Sequence, residues 1–315
     1  FALAIGYSFC DDAYGTMRCK GEGMFSAFVI VYLFLGGFGS GLLLIAAFAS
    51  LVFHCALDCN EIEVAAFDEW RNRCFLWGFV IVLCGALCLL LDLGKPERFV
   101  MLFVRPSSVS VLAYGTMFLT ALIACSGFLV FANFFAGRVR VPIVARRVGE
   151  IVCVLLSIAV MTYTGVYLMS TQAVAFWTSP LIVALFVASA LSMGFSGCAF
   201  AGSLLRDTWM LEGANAALRW GHIVVLAIEA CLLASFLAGA MNRGGRAADS
   251  CMLLFSGDLE AWFLGGVVMC GLLIPLIREI VPASLRQADT LPVSDVLCVF
   301  GGLALRLCLV SAGLH

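Results

Sequence analysis

Three groups of residues in this chain are of types that move protons or hold a polar head group, and each lies beside or inside a long apolar run. The densest is Asp92-Leu93-Gly94-Lys95-Pro96-Glu97-Arg98-Phe99, followed by Arg105. A carboxylate flanked by two cations at a helix end stays ionised until a hydroxyl approaches, so Asp92 is suited to accept a proton. The same residues also suit a salt-bridged cap that seats another protein, with Pro96 setting the turn. The second group is Tyr163 and Tyr167, four apart on one helical face, with Ser170 a turn further on and Thr164 and Thr171 beside them. Phenols and hydroxyls so placed can hold a quinone carbonyl; the competing reading for Tyr167 and Trp177 is an aromatic belt that anchors helix ends at the membrane interface. The third group is Glu229 with His222 seven residues before it, on one helix face, and Arg306 deep in the last apolar run. A charge at the centre of a bilayer costs about 2.5–3.5 kcal/mol on the insertion scale, so each such residue needs a reason. Glu229 is either a step in a proton route or half of a structural ion pair with Arg306.

The elements that must position these groups are transmembrane helices. Hydrophobic residues make up 63% of the 315 and charged residues 12%, with a mean hydropathy of +1.09, too little polar surface to solvate a globule of this size. Lipid offers the backbone no partners, and uninterrupted apolar runs rather than alternation select helices over a barrel. The expected fold is all-α, with eight spans at Met24–Phe53, Cys74–Leu91, Val111–Phe135, Ile151–Met169, Val174–Leu205, Gly221–Met241, Leu259–Val281 and Val296–Leu314. Residues 1–23 form an N-terminal tail with Asp11, Asp12, Arg18, Lys20 and Glu22 and no cleavable signal pattern, so the first span is expected to act as an uncleaved signal anchor. The N-terminal side of the membrane holds seven Lys and Arg residues and the opposite side ten, a bias that puts both termini, and the Asp92 segment with them, outside the cytoplasm. Net charge is −2 and the cations are scattered, which gives no footprint for nucleic acid.

Most of the 15 cysteines fall within apolar runs and read as small hydrophobes. Cys55 and Cys59 with His54 or Cys74 suggest a metal clip, but no second close pair completes a zinc or cluster pattern, and no metal is expected. Cys10 and Cys19 lie on the side expected to be oxidising, where a disulfide can form. Only His54, His222 and His315 are available as haem ligands, too few for a transmembrane di-haem site. Gly36-Gly37-Phe38-Gly39-Ser40-Gly41 echoes Met193-Gly194-Phe195-Ser196-Gly197-Cys198 at an offset of 157 residues, which divides the chain into four-helix halves at 24–169 and 174–315. Small residues four apart also let helices approach closely, and for the glycines themselves plain helix packing is the better reading.

Asp92 to Phe99 with Arg105-Pro106-Ser107-Ser108, then Tyr32-Leu33-Phe34-Leu35-Gly36-Gly37, and then Tyr163-Thr164-Gly165 with Phe176-Trp177-Thr178-Ser179-Pro180 and Leu185 to Ala190 resemble three motifs of the NrfD/PsrC family. These are membrane subunits of the polysulfide-reductase type. The resemblance runs from about Tyr32 to Gly197 and implies a haem-free, quinol-interacting subunit in a prokaryotic cytoplasmic membrane. It further implies docking to a four-cluster ferredoxin-like iron-sulfur subunit, which exchanges electrons with a molybdopterin catalytic subunit; menaquinone is the expected mobile carrier. Asp92 and Tyr163 are then the catalytic candidates, and Ser40, Arg98, Tyr114, Tyr167 and Trp177 complete the head-group contacts. Lys95, Pro96, Glu97 and Arg105 would meet the partner. His222, Glu229 and Arg306 would carry protons. Where some members have His or Asn in the first helix, this chain has Ser40. Two other classes stay open: a secondary transporter, against which Pro180 and Pro275 fail to correspond at the offset of 157, and a purely structural anchor.

Overall fold

The computed structural model describes residues 27–53, 61–92, 111–134, 141–171, 174–203, 212–257, 259–281 and 293–314. They form α1 (Ala27–Phe53), α2 (Glu61–Asp92), α3 (Val111–Phe134), α4 (Ile143–Met169), α5 (Leu181–Ser203), α6 (Glu212–Arg243), α7 (Arg246–Ser256), α8 (Ala261–Ile280) and α9 (Val293–Leu314). Every helix except α7 is long and apolar enough to cross a bilayer, which gives the eight expected spans. No strand occurs among the described residues.

Three helices, α2, α4 and α6, begin well before the apolar runs do. At 32 residues α2 is about 48 Å long, well beyond a hydrocarbon core of about 30 Å. Its first turns carry Asp68–Arg71 (2.9 Å) and Glu69–Arg73 (2.6 Å) ion pairs at helical spacing, which keep a charged stretch helical. Likewise α4 starts at Ile143, behind Pro142, and α6 at Glu212. Residues 174–178 do not continue α5. Ala175–Thr178 is a 3-10 turn, and α5 begins after Pro180. A ninth helix, α7, follows a turn in which Gly244 and Gly245 both take positive φ (65° and 56°), a conformation side chains disfavour. Its Ala247, Ser250, Cys251 and Leu254 form one buried stripe. The first 13 residues of α8, Ala261–Leu273, are wound as a π-helix.

Centre and rim are set by which helices hide their apolar faces. In their most apolar windows α1 and α5 are 61% and 67% buried, against 28% for α3 and α6, so α1 and α5 form the middle of the bundle. Around them α1 packs on α2, α4 and α5, and α5 also meets α4, α6 and α9. The echoing segments of the sequence meet at this crossing. A Cβ on Gly41 would strike the Ala190 carbonyl, and one on Gly194 would lie 2.5 Å from the Gly41 carbonyl carbon. Bare backbone on both sides is what permits the approach.

Candidate functional site

Chain direction puts the C-terminal ends of α2 and α4 at the same membrane face as the start of α1. Tyr32 on α1 and Tyr163 on α4 are both buried, and their hydroxyls are near enough to interact. Neither phenol oxygen completes a hydrogen bond. Tyr163 fits because α3 has Gly115 against it: any side chain there would collide with the phenol ring. One turn along α4, Tyr167 has its ring centroid 6.1 Å from that of Tyr163. It also feels the charge of Asp92, at the exposed end of α2. A row thus runs inward from the membrane rim: Asp92, Tyr167, Tyr163, Tyr32. It can accept a proton at its outer end and offer two phenol oxygens at its inner end.

The remaining residues expected at this site divide. Ser40 is buried and its hydroxyl donates to its own helix, at Gly36 O (2.6 Å) and Gly37 O (3.0 Å). Tyr114 is 48% exposed on α3, one residue from Gly115. Trp177 is fully buried instead of lying in an interfacial belt, and its indole N–H donates to Leu309 O at 2.9 Å, which fastens the 3-10 turn to α9. Lys95, Pro96, Glu97, Arg98 and Arg105 lie outside the described residues, as do His54, Cys10, Cys19, Cys55 and Cys59.

A second polar cluster threads the interior between α5, α6, α8 and α9. Arg306 is fully buried; its Nε donates to Leu33 O (3.1 Å) and its Nη1 to Gly302 O (2.7 Å) and Ser189 Oγ (3.2 Å). The guanidinium carbon lies 5.2 Å from the centre of the Phe186 ring. Gly37 makes room for it, since a Cβ there would lie 2.7 Å from Nη2. Glu229 accepts a hydrogen bond from Ser192 Oγ at 2.6 Å. Among the described residues no salt bridge joins Glu229 to Arg306, although each feels the other's charge. The structural ion pair is therefore not a contact: the serines of α5 lie between the two charges. Further along α6, His222 Nε2 is 3.4 Å from Ser196 Oγ and Nδ1 is 3.4 Å from Glu279 Oε1.

Comparison with known proteins supplies the family. A model described as "Polysulphide reductase, NrfD" matches residues 19–315. The chain belongs to that family. Among its relatives, the C subunit of polysulfide reductase from Wolinella succinogenes is 29% identical over 303 residues, covering 90% of this chain and 92% of that protein. A protein NrfD homolog of Haemophilus influenzae is 24% identical over 272 residues, covering 80% and 81%. The NrfD match extends well beyond α5, into helices whose sequence carries no motif of the resemblance.

In this NrfD-family protein the sequence left several polar residues without a role. Tyr32 and Ser189 stood only inside motifs of the resemblance, and Ser192 only as a small residue at helix-packing spacing. Glu279 and Glu150 went unread. Glu150, 5% exposed, accepts from Ser50 Oγ (2.7 Å) and pairs with Arg147 (3.3 Å), while Arg71 reaches Ser50 (3.5 Å). This clasp joins α1, α2 and α4 at the face opposite Asp92. A carboxylate directly before an apolar run reads as loop, so only the early start of α4 reveals that Glu150 is inside.

Proposed function

We propose that this protein is the quinone-interacting membrane subunit of a multi-subunit oxidoreductase, without haem of its own. What carries the reading is the pair of buried, unpaired phenol hydroxyls of Tyr32 and Tyr163 behind the rim carboxylate Asp92. A buried hydroxyl with no partner costs about 1–3 kcal/mol, and a ring with two oxygens, entering from lipid, would satisfy both. The residues fit such a group: phenols at depth for one oxygen, an exposed carboxyl group toward the surface for a proton.

Tyr163 and Tyr32 orient the head group, and Gly115 keeps the Tyr163 ring where it is. Asp92, with Arg98 and Lys95 next in sequence, takes up or delivers the proton at the rim; Tyr167 stands between this carboxylate and Tyr163. The bound quinone supplies two-electron chemistry, menaquinone being the carrier expected. Electrons pass to or from an iron-sulfur subunit of the four-cluster ferredoxin type, and through it a molybdopterin catalytic subunit. Lys95, Pro96, Glu97 and Arg105 seat that partner. Support for a complex comes from the family and from the relative named as the C subunit of polysulfide reductase. We place both termini outside the cytoplasm, in a prokaryotic inner membrane, with His222, Glu229 and Arg306 marking a proton route through the second four-helix half.

Menaquinol-analogue oxidation by the purified complex tests this. Tyr163→Phe and Asp92→Asn should each lower turnover about 10²-fold, the low end for a lost proton-transfer group, with the complex intact on gel filtration. A structural anchor would lose nothing from either change, and a transporter would have no quinol turnover to lose.

A further inference from the structure

At the membrane face opposite Asp92, a hollow of about 360 Å³ lies between the first turns of α2 and the end of α3, within the size range of small-molecule sites. Its walls are Glu69, Asn72, Arg73 and Leu76 of α2 with Asn133 and Phe134 of α3. Arg146 Nη2 donates to Ala132 O at 2.9 Å, which ties the last turn of α3 to α4 and steadies the Asn133 wall. From Asn72 to Asp92, α2 rises about 30 Å, the thickness of the hydrocarbon core of a bilayer. With Asp92 at one boundary of the hydrocarbon, the hollow is at the other, at the depth of phospholipid head groups. Inward from it Leu76, Val80, Leu83 and Leu87 recur at helical spacing, and the last three are exposed. An apolar stripe therefore leads from the hollow into the bilayer.

The polar side chains of the hollow balance in charge. Glu69 Oε1 accepts from Arg73 Nη2 at 2.6 Å, and the two side chains are 58% and 35% exposed, so both charges stay within reach of a further partner. Asn72 Oδ1 is buried and accepts no hydrogen bond, which leaves an acceptor that a donor would satisfy. A phosphate alone would meet the Glu69 carboxylate and leave the Asn72 oxygen unmet. A quaternary ammonium has no N–H to give that oxygen. A primary ammonium joined to a phosphate answers both needs: the ammonium donates to Asn72 Oδ1 and Glu69, and the Arg73 guanidinium and Asn133 carboxamide donate to the phosphate.

We propose that this hollow is a head-group site for a phospholipid carrying a primary ammonium, of the phosphatidylethanolamine type, with Glu69 and Asn72 on its ammonium and Arg73 and Asn133 on its phosphate. Leu76 and Phe134 meet the glycerol end of the acyl chains, and one chain follows the Val80–Leu83–Leu87 stripe. The lipid so held fills the gap between α2 and α3. The site shares no residue with the Tyr32–Tyr163 row, so it does not rest on the quinone reading.

The test is photolabelling of the full chain in phosphatidylcholine nanodiscs that contain a trace of phosphatidylethanolamine with a diazirine near the glycerol end of one acyl chain, followed by peptide mapping. Peptides containing Leu76 and Phe134 should take the label, and unlabelled phosphatidylethanolamine should displace it where an equal amount of phosphatidylglycerol does not. Glu69→Gln should lower this labelling about fivefold, the upper end for an exposed ion pair. Asn72→Leu should lower it about threefold, the size of one lost hydrogen bond. Because Asn72→Leu removes an unmet buried oxygen, its unfolding temperature without phosphatidylethanolamine should be no lower than the parent's. Label spread evenly over the lipid-facing helices overturns the proposal, since it marks only the surrounding shell of lipid. Equal displacement by phosphatidylglycerol overturns it in favour of an anionic-lipid site, and displacement by soluble phosphoethanolamine at the same concentration in favour of a solute site. Labelling indifferent to both variants overturns it as well.

Discussion

Glu229 and Arg306 answer the problem of charge in lipid by separate means. Arg306 has three acceptors and an aromatic ring, all supplied by neighbouring backbone or side chains. Glu229 has Ser192, with His222 electrostatically coupled to it from one face of the same helix. Because the carboxylate is not locked against the guanidinium, it is free to exchange a proton without breaking a salt bridge, which a paired carboxylate could not do. Glu229→Gln keeps an oxygen for Ser192 and removes only the exchangeable proton. We expect proton-coupled turnover to fall at least about 10²-fold, with expression and thermal unfolding of the solubilised protein as in the parent. Unchanged turnover would take Glu229 out of the mechanism.

Helix crossings impose a different kind of constraint, one of shape. The approach of α1 to α5 depends on Gly41 and Gly194 together, with backbone within van der Waals distance of either Cβ position. Gly194→Val forces two central helices apart and should cost about 1–3 kcal/mol by overpacking, read as a lower unfolding temperature, whereas Gly239→Ala, with nothing within 4 Å, should leave it unchanged. The eight spans were legible because apolar runs of such length have no other use. Their ends were not: α2, α4 and α6 project beyond the apolar region on charged turns, and helical ion pairs such as Glu69–Arg73 replace hydrophobicity as the reason for helix there. At only 11 residues α7 escaped any search for membrane spans. Of the candidate site, Tyr163 and Glu229 could be picked out as polar groups in apolar sequence. Their partners could not, because Tyr32, Ser192 and Glu279 become neighbours only once distant helices are packed.

At the scale of the molecule, α1 and α5 are the axis about which the polar groups are distributed, with the phenol row on one side and the Glu229 cluster on the other. The two clusters lie in separate halves of the sequence, yet Arg306 bridges them by bonding both Leu33 on α1 and Ser189 on α5. That bridge bears on biogenesis. Taken alone, α9 enters a bilayer with a guanidinium bonded only to its own Gly302 O, against a penalty of about 2.5–3.5 kcal/mol for a central charge, and with Asp295 two residues past its start. Two of its three acceptors, Leu33 O and Ser189 Oγ, belong to helices translated much earlier, so they are already waiting when α9 leaves the ribosome. In glycosylation mapping α9 should insert poorly when fused alone to a reporter and efficiently behind the preceding helices. Membrane entry of this helix is then a docking event into a prepared socket, and assembly quality can be checked at a single arginine.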